Sequence, residues 1–234
     1  RNQPSGVEVV STVSHELRSP LTSVKGYTSL LLNRWDRLSD DQKRMMLQQI
    51  HDDADRVTRL IGELLDISRL ETGQLVLRRQ LVDLVELSGR VLDKLTVVYP
   101  GLAGELVPDA DVPKVWADPD KVEQVLTNLI ENAAKYASPT GLRVSFAASD
   151  GEVAVAVEDR GDGIPTADLP HVFRKFFRRD HGKPSGTGLG LWISRGLVEA
   201  HGGRLSASSV EGHGSTFRFT LPAGIPIDLE SDPG

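Results

Sequence analysis

Apolar residues recur every three or four positions in the first part of the chain, which is the spacing of one helical face. The first seam consists of Val10, Val13, Leu17, Pro20, Val24, Tyr27 and Leu31. The second seam consists of Met46, Ile50, Ala54, Val57, Leu60, Ile61, Leu64 and Ile67. Between the two seams, Ser39, Asp40 and Asp41 indicate a turn followed by the beginning of a second helix. The pattern predicts an antiparallel helical hairpin. Because one hairpin cannot cover both of its apolar sides, it also predicts a dimeric four-helix bundle.

The pattern changes after residue 73 to short alternating runs, glycine-rich turns and further helical stretches. Such a change predicts a second domain. We therefore expect a helical domain at 1–73 and a mixed domain at 74–224. The Pro-rich, acidic tail at 225–234 is expected to be disordered.

Three signals predict the elements at the beginning of the second domain. Leu75 and Leu77 indicate a strand. Asp83, with Glu86 three residues later, has the spacing of a capping box and predicts a helix start. The pair Asp118-Pro119 combines an N-cap with proline at the first helical position, and predicts a helix that extends to about residue 137.

Two β-hairpins and one more helix complete the second domain. The first hairpin turns at Asp150-Gly151, between two runs of alternating apolar residues, and the second turns at 212–214. Residues 160–187 predict a loop with short helical pieces, and 189–201 predict a helix that ends at Gly202-Gly203. This order predicts a two-layer α+β sandwich, with helices on one face of a sheet.

Composition narrows the classes of function. The chain has 234 residues, a net charge of -6 and no cysteine. Without a basic excess, nucleic-acid binding is not expected. Without cysteine, disulfides, zinc–thiolate sites and thiol nucleophiles are excluded. No apolar run approaches the roughly 18 residues that span a bilayer, so we expect no membrane contact within this stretch. The first residue is Arg1 and not methionine, and we expect a piece of a longer protein.

His15 falls at a heptad position that faces away from the apolar seam. Taken alone, such a histidine is usually an ordinary surface residue. The neighbouring Glu16 can hold the imidazole neutral and oriented, which leaves the other ring nitrogen as a nucleophile. Pro20 has no N–H to donate to the Glu16 carbonyl, so we expect the first helix to bend beside His15.

A second candidate site begins on the helix after Asp118-Pro119. Asn128, Asn132 and Lys135 lie at i, i+4 and i+7 and share one helical face. Amide oxygens are suitable Mg²⁺ ligands and an ammonium neutralises phosphate, so this face suits a triphosphate with its metal. An ordinary solvated polar face would show the same pattern.

Two glycine-rich segments and a basic one follow. Asp159 comes directly after a predicted strand, where a carboxylate can accept a hydrogen bond from an exocyclic amine, although a simple turn is as good an interpretation. Glycines at 186, 188 and 190 open a helix whose N-terminus favours anions. They do not follow a strand and so match a dinucleotide-binding unit poorly. Residues 173–179 combine aromatic and basic side chains, which fits either an amphipathic turn with its aromatics in the core or a basic flap over phosphates.

Taken in order, these segments resemble the motifs of sensor histidine kinases. The resembling segments are 15–21 (H-box), 128–136 (N-box), 159–163 (G1 box), 173–178 (F-box), 186–191 (G2 box) and 212–217 (closing glycine motif). The resemblance implies a dimerisation and phosphoacceptor hairpin followed by a Bergerat-fold ATP-binding domain. It also implies ATP and Mg²⁺ as cofactors, a homodimer, a response regulator receiver domain as partner, and a cytoplasmic place within a longer sensor.

The resemblance assigns roles around the phosphoryl group. His15 would accept the phosphoryl group and Glu16 would be the base that activates it. Many members carry Thr or Asn at the position of Ser19, where it orients a water that removes phosphate from the regulator, so serine implies weak phosphatase activity. Arg178 would steady the γ-phosphate.

The resemblance also assigns the nucleotide contacts. Asn132 would hold Mg²⁺, with Asn128 nearby on metal or phosphate. Lys135 would contact phosphate, Tyr136 would line the adenine and Asp159 would bind the adenine amine. The pocket and the hinge of its lid would be shaped by Gly161, Gly163, Gly186, Gly188 and Gly190.

Asn128 separates the alternatives within this superfamily. The hydrolytic ATPases have a glutamate base for water at this position, and an amide cannot accept a proton. The sequence therefore favours transfer of phosphate to protein over hydrolysis. A simple ATPase of the same fold, or a dimeric scaffold without catalysis, are the two other hypotheses.

Overall fold

The computed structural model describes residues 6–136, 140–178 and 186–224. The chain divides into two compact units between Glu71 and Thr72. The tail expected to be disordered, 225–234, lies outside the described residues. Within the described part, no helix combines the length and the apolar character that crossing a membrane requires.

The first unit is the predicted helical hairpin. Helix α1 spans Gly6–Arg34 and helix α2 spans Asp40–Glu71, with a 3₁₀ turn at Trp35–Arg37 between them. Ser39 starts α2 with a reciprocal cap: the Gln42 N–H donates to Ser39 Oγ at 3.2 Å, and the Ser39 N–H donates to Gln42 Oε1 at 3.0 Å. Proline at position 20 lies inside α1, which continues through it.

The buried seam of α2 differs from the predicted one at two positions. Ala54 is exposed and Ile61 is 49% exposed in the single chain, whereas Asp53 is buried. The Asp53 carboxylate is compensated, because Oδ2 accepts hydrogen bonds from Ser23 Oγ at 2.6 Å and Gln49 Nε2 at 3.1 Å. The seam of α2 therefore contains a carboxylate that the search for apolar residues missed.

The second unit is a two-layer α+β sandwich, as predicted. Its elements are β1 (Gln80–Val82), α3 (Leu84–Val98), β2 (Ala103–Pro108), β3 (Val115–Ala117), α4 (Pro119–Tyr136), β4 (Thr140–Ser149), β5 (Glu152–Glu158), α5 (Gly190–Ala200), β6 (Arg204–Val210) and β7 (Gly214–Pro222). The main sheet has the order β2-β4-β5-β7-β6, and β1 pairs with β3 in a separate ribbon. Strand β2 runs parallel to β4, and the other pairs of the main sheet are antiparallel.

One face of the main sheet is apolar. Phe146, Val155, Phe219 and Leu205 form a buried row across β4, β5, β7 and β6. Helices α4 and α5 pack on the sheet and on each other, and α3 packs on α4 and β2. The alternation of apolar and polar residues in these strands therefore places the three helices on one side.

Several predicted elements are confirmed, and one is wrong. The hairpin at Asp150-Gly151, α4, α5 and the β6–β7 hairpin are all present. Asp83 accepts from the Glu86 N–H at 3.0 Å, which confirms the start of α3. Leu75 and Leu77 lie outside any strand, and the first strand begins at Gln80. Strands β2 and β3 were not predicted.

A buried histidine joins the start of α4 to the end of α5. The Asp118 N–H donates to His201 Nε2 at 3.0 Å, and His201 Nδ1 lies 2.7 Å from the Leu197 carbonyl. Because an amide can only donate and a carbonyl can only accept, His201 carries its proton on Nδ1 and is neutral. Burial lowers the pKa of His201 from its usual value, as does the nearby Arg79, against the opposing effects of the Leu197 carbonyl and Asp118.

Candidate active site

His15 lies on the exposed side of α1, as the heptad position predicted. The side chain is exposed, and its ring makes no hydrogen bond to any residue that the structure describes. Glu16, in contrast, faces α2, where its Oε2 accepts a hydrogen bond from Arg56 Nη2 at 3.0 Å. The expected pairing of this carboxylate with the imidazole is therefore replaced here by an ion pair across the hairpin.

Two more residues of the H-box follow His15 and Glu16 along α1. Ser19 is exposed one helical turn after His15. Pro20 is buried in the seam. The bend expected beside His15 stays a prediction.

The candidate nucleotide-binding residues of α4 lie on a helix whose N-terminus is capped by a side chain. The Asp118 carboxylate caps α4, because Oδ1 accepts from the Asp120 N–H at 3.1 Å and from the Lys121 N–H at 3.3 Å. One side of α4 is buried in the core, through Val122, Val125, Leu126, Leu129, Ile130 and Ala133. Asn128, Asn132 and Lys135 are half-buried on another side, so the helix brings them together as predicted.

The amide of Asn128 has a defined orientation. Its Nδ2 lies 3.2 Å from Ser194 Oγ and 3.4 Å from the Gly190 carbonyl oxygen. Because a carbonyl can only accept, the NH₂ group must face α5, which directs Oδ1 away from it. Ser194 is fully buried, so this arrangement is fixed from within the core.

The other two polar residues of α4 are in different environments. Asn132 makes no hydrogen bond within the described ranges. Lys135 Nζ lies 2.6 Å from Glu131 Oε2. Burial alone would lower the pKa of Lys135, but the hydrogen bond and charge of Glu131, with a contribution from Tyr99, raise it above its usual value. Lys135 is thus charged, and its ammonium is bound to a carboxylate of the same helix.

Asp159 is held rigidly at the end of β5. Its Oδ1 accepts from the Gly161 N–H at 2.9 Å and from the Ser215 N–H at 3.2 Å, and its own N–H donates to the Ser215 carbonyl at 2.9 Å. A Cβ on Gly214 would lie 2.0 Å from the Asp159 carbonyl oxygen, and Gly214 has φ of +108°. Only glycine fits there. The absence of a side chain at Gly214 therefore allows its backbone to pack directly against the backbone of Asp159.

The loop after Asp159 is anchored to the same turn. Gly163 packs against the Val210 backbone. Ser209 Oγ accepts from the Ile164 N–H and donates to the Gly214 carbonyl, each at 2.7 Å. The orientation of the G1 segment therefore depends on residues of the β6–β7 hairpin.

The F-box and the G2 box are joined by their backbones. The Phe176 N–H donates to the Gly188 carbonyl at 2.9 Å, and a Cβ on Gly188 would lie 2.7 Å from the Phe176 carbonyl carbon. Lys175 Nζ lies 4.4 Å from the centroid of the Trp192 ring on α5. Residues 173–178 thus pack as a turn on α5, which favours that interpretation of the motif. Arg178, half-buried, is the last described residue before 186.

The remaining predicted residues lie at the start of the G2 segment and of α5. A Cβ on Gly186 would be 3.6 Å from the Tyr136 hydroxyl, so the end of α4 and the G2 segment are neighbours. Gly190 is the first residue of α5 and approaches Asn128 closely. The structure therefore brings the N-box together with the G2 box.

A separate open cleft of about 790 Å³ lies at the end of the sheet. Its lining includes Glu158, Asp159, Arg143, Glu105 and the turn at Gly214, but no residue of α4 or α5. Of the predicted nucleotide contacts it contains only Asp159, so it does not join the N-box, G1 and G2 segments into one pocket.

The donor set fits Mg²⁺ bound together with phosphates. In the described ranges, no three His, Asp or Glu side chains gather into a metal-binding cluster. The metal would instead be held by amide oxygens, and Asn128 directs an oxygen away from α5. Amide oxygens with phosphate and water ligands form a suitable environment for Mg²⁺.

Two family models match the chain. Residues 7–73 match the His Kinase A (phospho-acceptor) domain, and residues 117–225 match the Histidine kinase-, DNA gyrase B-, and HSP90-like ATPase. The chain is 36% identical over 225 residues to the sensor histidine kinase WalK of Bacillus subtilis. That alignment covers 92% of this chain and 36% of WalK, so the chain spans about a third of that relative.

Solved structures agree with these matches. Full-length ShkA in complex with AMPPNP has a TM-score of 0.70 at 28% identity, covering 94% of this chain and 46% of ShkA. The histidine kinase ThkA in complex with the response regulator protein TrrA has a TM-score of 0.67 at 25% identity, covering 93% of this chain and 61% of that one.

A helical hairpin with an exposed histidine, followed by an ATP-binding α+β sandwich, defines a two-domain phosphotransfer core. The chain belongs to the sensor histidine kinases, whose catalytic core it carries.

Proposed function

We propose that this chain phosphorylates itself on His15 with ATP and passes the phosphoryl group to an aspartate of a response regulator. The observation that carries the proposal is the exposed ring of His15 on α1. The ATP-binding domain of the same chain has an amide at Asn128, where a hydrolytic enzyme needs a base. The AMPPNP of ShkA and the regulator bound to ThkA support the same substrates here.

The proposed reaction has two transfers. A ring nitrogen of His15 forms a bond to the γ-phosphorus of ATP, the bond to the bridging oxygen breaks, and ADP leaves. Glu16 leaves its ion pair with Arg56 and takes the proton that the imidazole loses. In the second transfer a carboxylate oxygen of the regulator bonds to the phosphorus and the P–N bond breaks. A proton returns from Glu16 to the imidazole, which restores the neutral histidine.

The nucleotide contacts are part of the proposal. Asp159 accepts a hydrogen bond from the adenine amine, and Tyr136 lines the base. Asn132 holds Mg²⁺ through its amide oxygen, with Asn128 beside it. Mg²⁺ supplies charge neutralisation on the phosphates when bound.

Phosphate contacts come from two basic residues. Lys135 exchanges Glu131 for a phosphate oxygen, and Arg178 steadies the γ-phosphate. Both side chains are cationic, and both belong to the motifs themselves: Lys135 to the N-box on α4 and Arg178 to the F-box. Glycines 161, 163, 186, 188 and 190 shape the pocket and the hinge of its lid.

The hairpin, as the 1–73 dimerisation and phosphoacceptor domain, is proposed to pair with a second copy of itself. Large apolar residues are exposed on both helices of the single chain: Leu21, Leu30, Leu32, Met45, Leu47, Ile61 and Leu65. Two hairpins can cover these positions in a four-helix bundle. Residues 74–224 form the ATP-binding domain in this proposal.

His15→Gln tests the proposal. The variant should take up no acid-labile, alkali-stable label from γ-labelled ATP, while its ATP affinity stays within about twofold, because His15 and the nucleotide motifs lie in separate units. Wild-type protein that released only free phosphate would indicate a simple ATPase. Wild-type protein that bound no ATP would indicate a scaffold, and label retained by His15→Gln would exclude His15 as acceptor.

A further inference from the structure

We infer that Glu131 is a positioning residue that holds Lys135 away from the phosphate site and thereby lowers the affinity of this chain for nucleoside di- and triphosphates. The inference rests on the proposed contact of Lys135 with phosphate, and adds to it a residue of α4 to which no role has been assigned above. Glu131 touches no nucleotide in this scheme and acts through Lys135.

The ammonium of Lys135 is held by a carboxylate of its own helix. Lys135 Nζ lies 2.6 Å from Glu131 Oε2, and the two side chains are 22% and 18% exposed. Tyr99, the C-cap residue of α3, lies close enough to the ammonium to contribute to the raised pKa of Lys135. Because a charge-assisted hydrogen bond that is largely shielded from water is strong and little screened by salt, it restrains Lys135 in this position.

The restrained ammonium lies on the side of α4 that faces α3, where Tyr99 is. Helix α3 packs beside β2 at one edge of the main sheet and α5 packs beside β6 and β7 at the other edge, with α4 between them. The G2 box opens α5, and Asn128 contacts its first residue, Gly190. Because the proposed phosphate site lies between the N-box and the G2 box, the Lys135 ammonium has to leave Glu131 to reach it.

Two effects of Glu131 act against phosphate binding, and both have the same sign. Its carboxylate competes for the ammonium, since the ion pair has to break before Lys135 can contact a phosphate oxygen. Its negative charge also repels the phosphates, although solvent and salt weaken this repulsion with distance. A neutral residue in place of Glu131 should therefore strengthen phosphate binding, and most of the gain should require Lys135.

The experiment measures the Kd of the wild type and the variants by calorimetry for AMPPNP with Mg²⁺, for ADP with Mg²⁺ and for adenosine. Glu131→Gln should lower the Kd of AMPPNP and of ADP about three- to tenfold. Adenosine has no phosphate, so its Kd should not change. In the Lys135→Met background, Glu131→Gln should change the Kd of AMPPNP by less than about twofold, because no ammonium remains to be released.

Glu123→Gln is the matched control. Glu123 lies on the same helix, and its Oε1 also accepts a hydrogen bond from a lysine, Lys94 of α3, at 2.6 Å. The substitution removes the same charge from α4 and should leave all three Kd values unchanged. Glu131→Ala is measured as a second neutral variant, so that a folding defect of one substitution does not decide the result.

The outcomes separate the inference from the proposed function. An unchanged or weaker affinity for AMPPNP in both Glu131 variants overturns the inference, as does an equal gain for adenosine or an equal gain in the Lys135→Met background. Lys135→Met with the wild-type Kd for AMPPNP overturns the inference and also the proposed phosphate contact. Wild-type protein that binds neither AMPPNP nor ADP overturns the proposed function as well.

Discussion

Ser19 is exposed on α1 one helical turn beyond His15, so its hydroxyl can reach the same site. We predict weak phosphatase activity toward the cognate regulator, because serine lacks the methyl group that restricts χ1 in threonine. Ser19→Thr should raise the activity a few-fold and Ser19→Ala should lower it, since a rotamer bias of about 0.5–1 kcal/mol changes a rate by that factor. The measurement is the decay of phospho-regulator with excess kinase and ADP.

Autophosphorylation is the control for these variants, and should change little in either. If the phospho-regulator decays at the same rate with wild type, Ser19→Thr and Ser19→Ala, then residue 19 takes no part in phosphate removal.

The candidate site residues could be proposed from the sequence because they belong to short motifs. The spacing of Asn128, Asn132 and Lys135 is local, and a helix places them together whatever surrounds it. The distant partners of the site residues could not be predicted in this way. Arg56 contacts Glu16 across 40 residues and Ser194 contacts Asn128 across 66, so these contacts exist only after the elements pack.

Among the elements, the α4–α5 joint through His201 predicts a pH dependence of stability. The folded pKa of His201 is lowered by burial from the usual 6.5, so the unfolded chain binds more protons than the folded one below that pH. Stability is therefore fully present above about pH 6.5 and is lost as the pH falls through the folded pKa. Urea unfolding between pH 8 and pH 5 should show this loss in the wild type.

His201→Gln should reduce that slope, because no titrating ring remains between Asp118 and Leu197. His213→Gln is the control, since His213 is exposed on the β6–β7 turn and should leave the slope unchanged. Equal slopes in the wild type and His201→Gln would show that other groups cause the pH dependence.

The accuracy of the element prediction followed the strength of each local signal. Helix α4 has a capped start and a long buried face, and the Asp150-Gly151 turn requires residues that tolerate positive φ, here +51° and +77°. Strand β3 has three residues, and the strand with which it pairs, β1, is equally short. Leu75 and Leu77 alternate like a strand, but β1 begins further along the chain.

Asp53 shows a different reason for error. The alternating spacing of four and three continues along α2 through buried or half-buried positions, which are residues 46, 50, 53, 57, 60, 64 and 67. Ala54 is apolar and Asp53 is not, so hydrophobicity assigns Ala54 to the seam. The alternating spacing of four and three assigns Asp53 to it instead. Tertiary hydrogen bonds to Ser23 and Gln49 compensate the carboxylate, and they cannot be read from hydrophobicity.

At the scale of the whole molecule, the two units should unfold separately, and only one of them should respond to protein concentration. If the hairpin is a dimer, association stabilises its folded state by mass action. A tenfold rise in concentration should then raise the melting temperature of the hairpin by about 3–6 °C. The melting temperature of the α+β unit should stay constant. Scanning calorimetry at two concentrations measures both transitions.

Ile61→Lys/Leu65→Lys is the informative variant, because both positions are about half-exposed on α2 of the single chain. Charges there should abolish the concentration dependence of the first transition and leave the second unchanged. A first transition that does not move with concentration in the wild type would contradict the dimer.

The buried carboxylate of Asp53 also limits how the two helices of the hairpin can move against each other. Sliding α2 lengthwise by one turn, about 5.4 Å, would separate the carboxylate from Ser23. A buried acceptor left without a partner costs about 1–3 kcal/mol. Rotation of each helix about its own axis by a few degrees keeps the hydrogen bond intact. This hydrogen bond therefore favours the observed lengthwise register of α1 and α2 over one shifted by a turn.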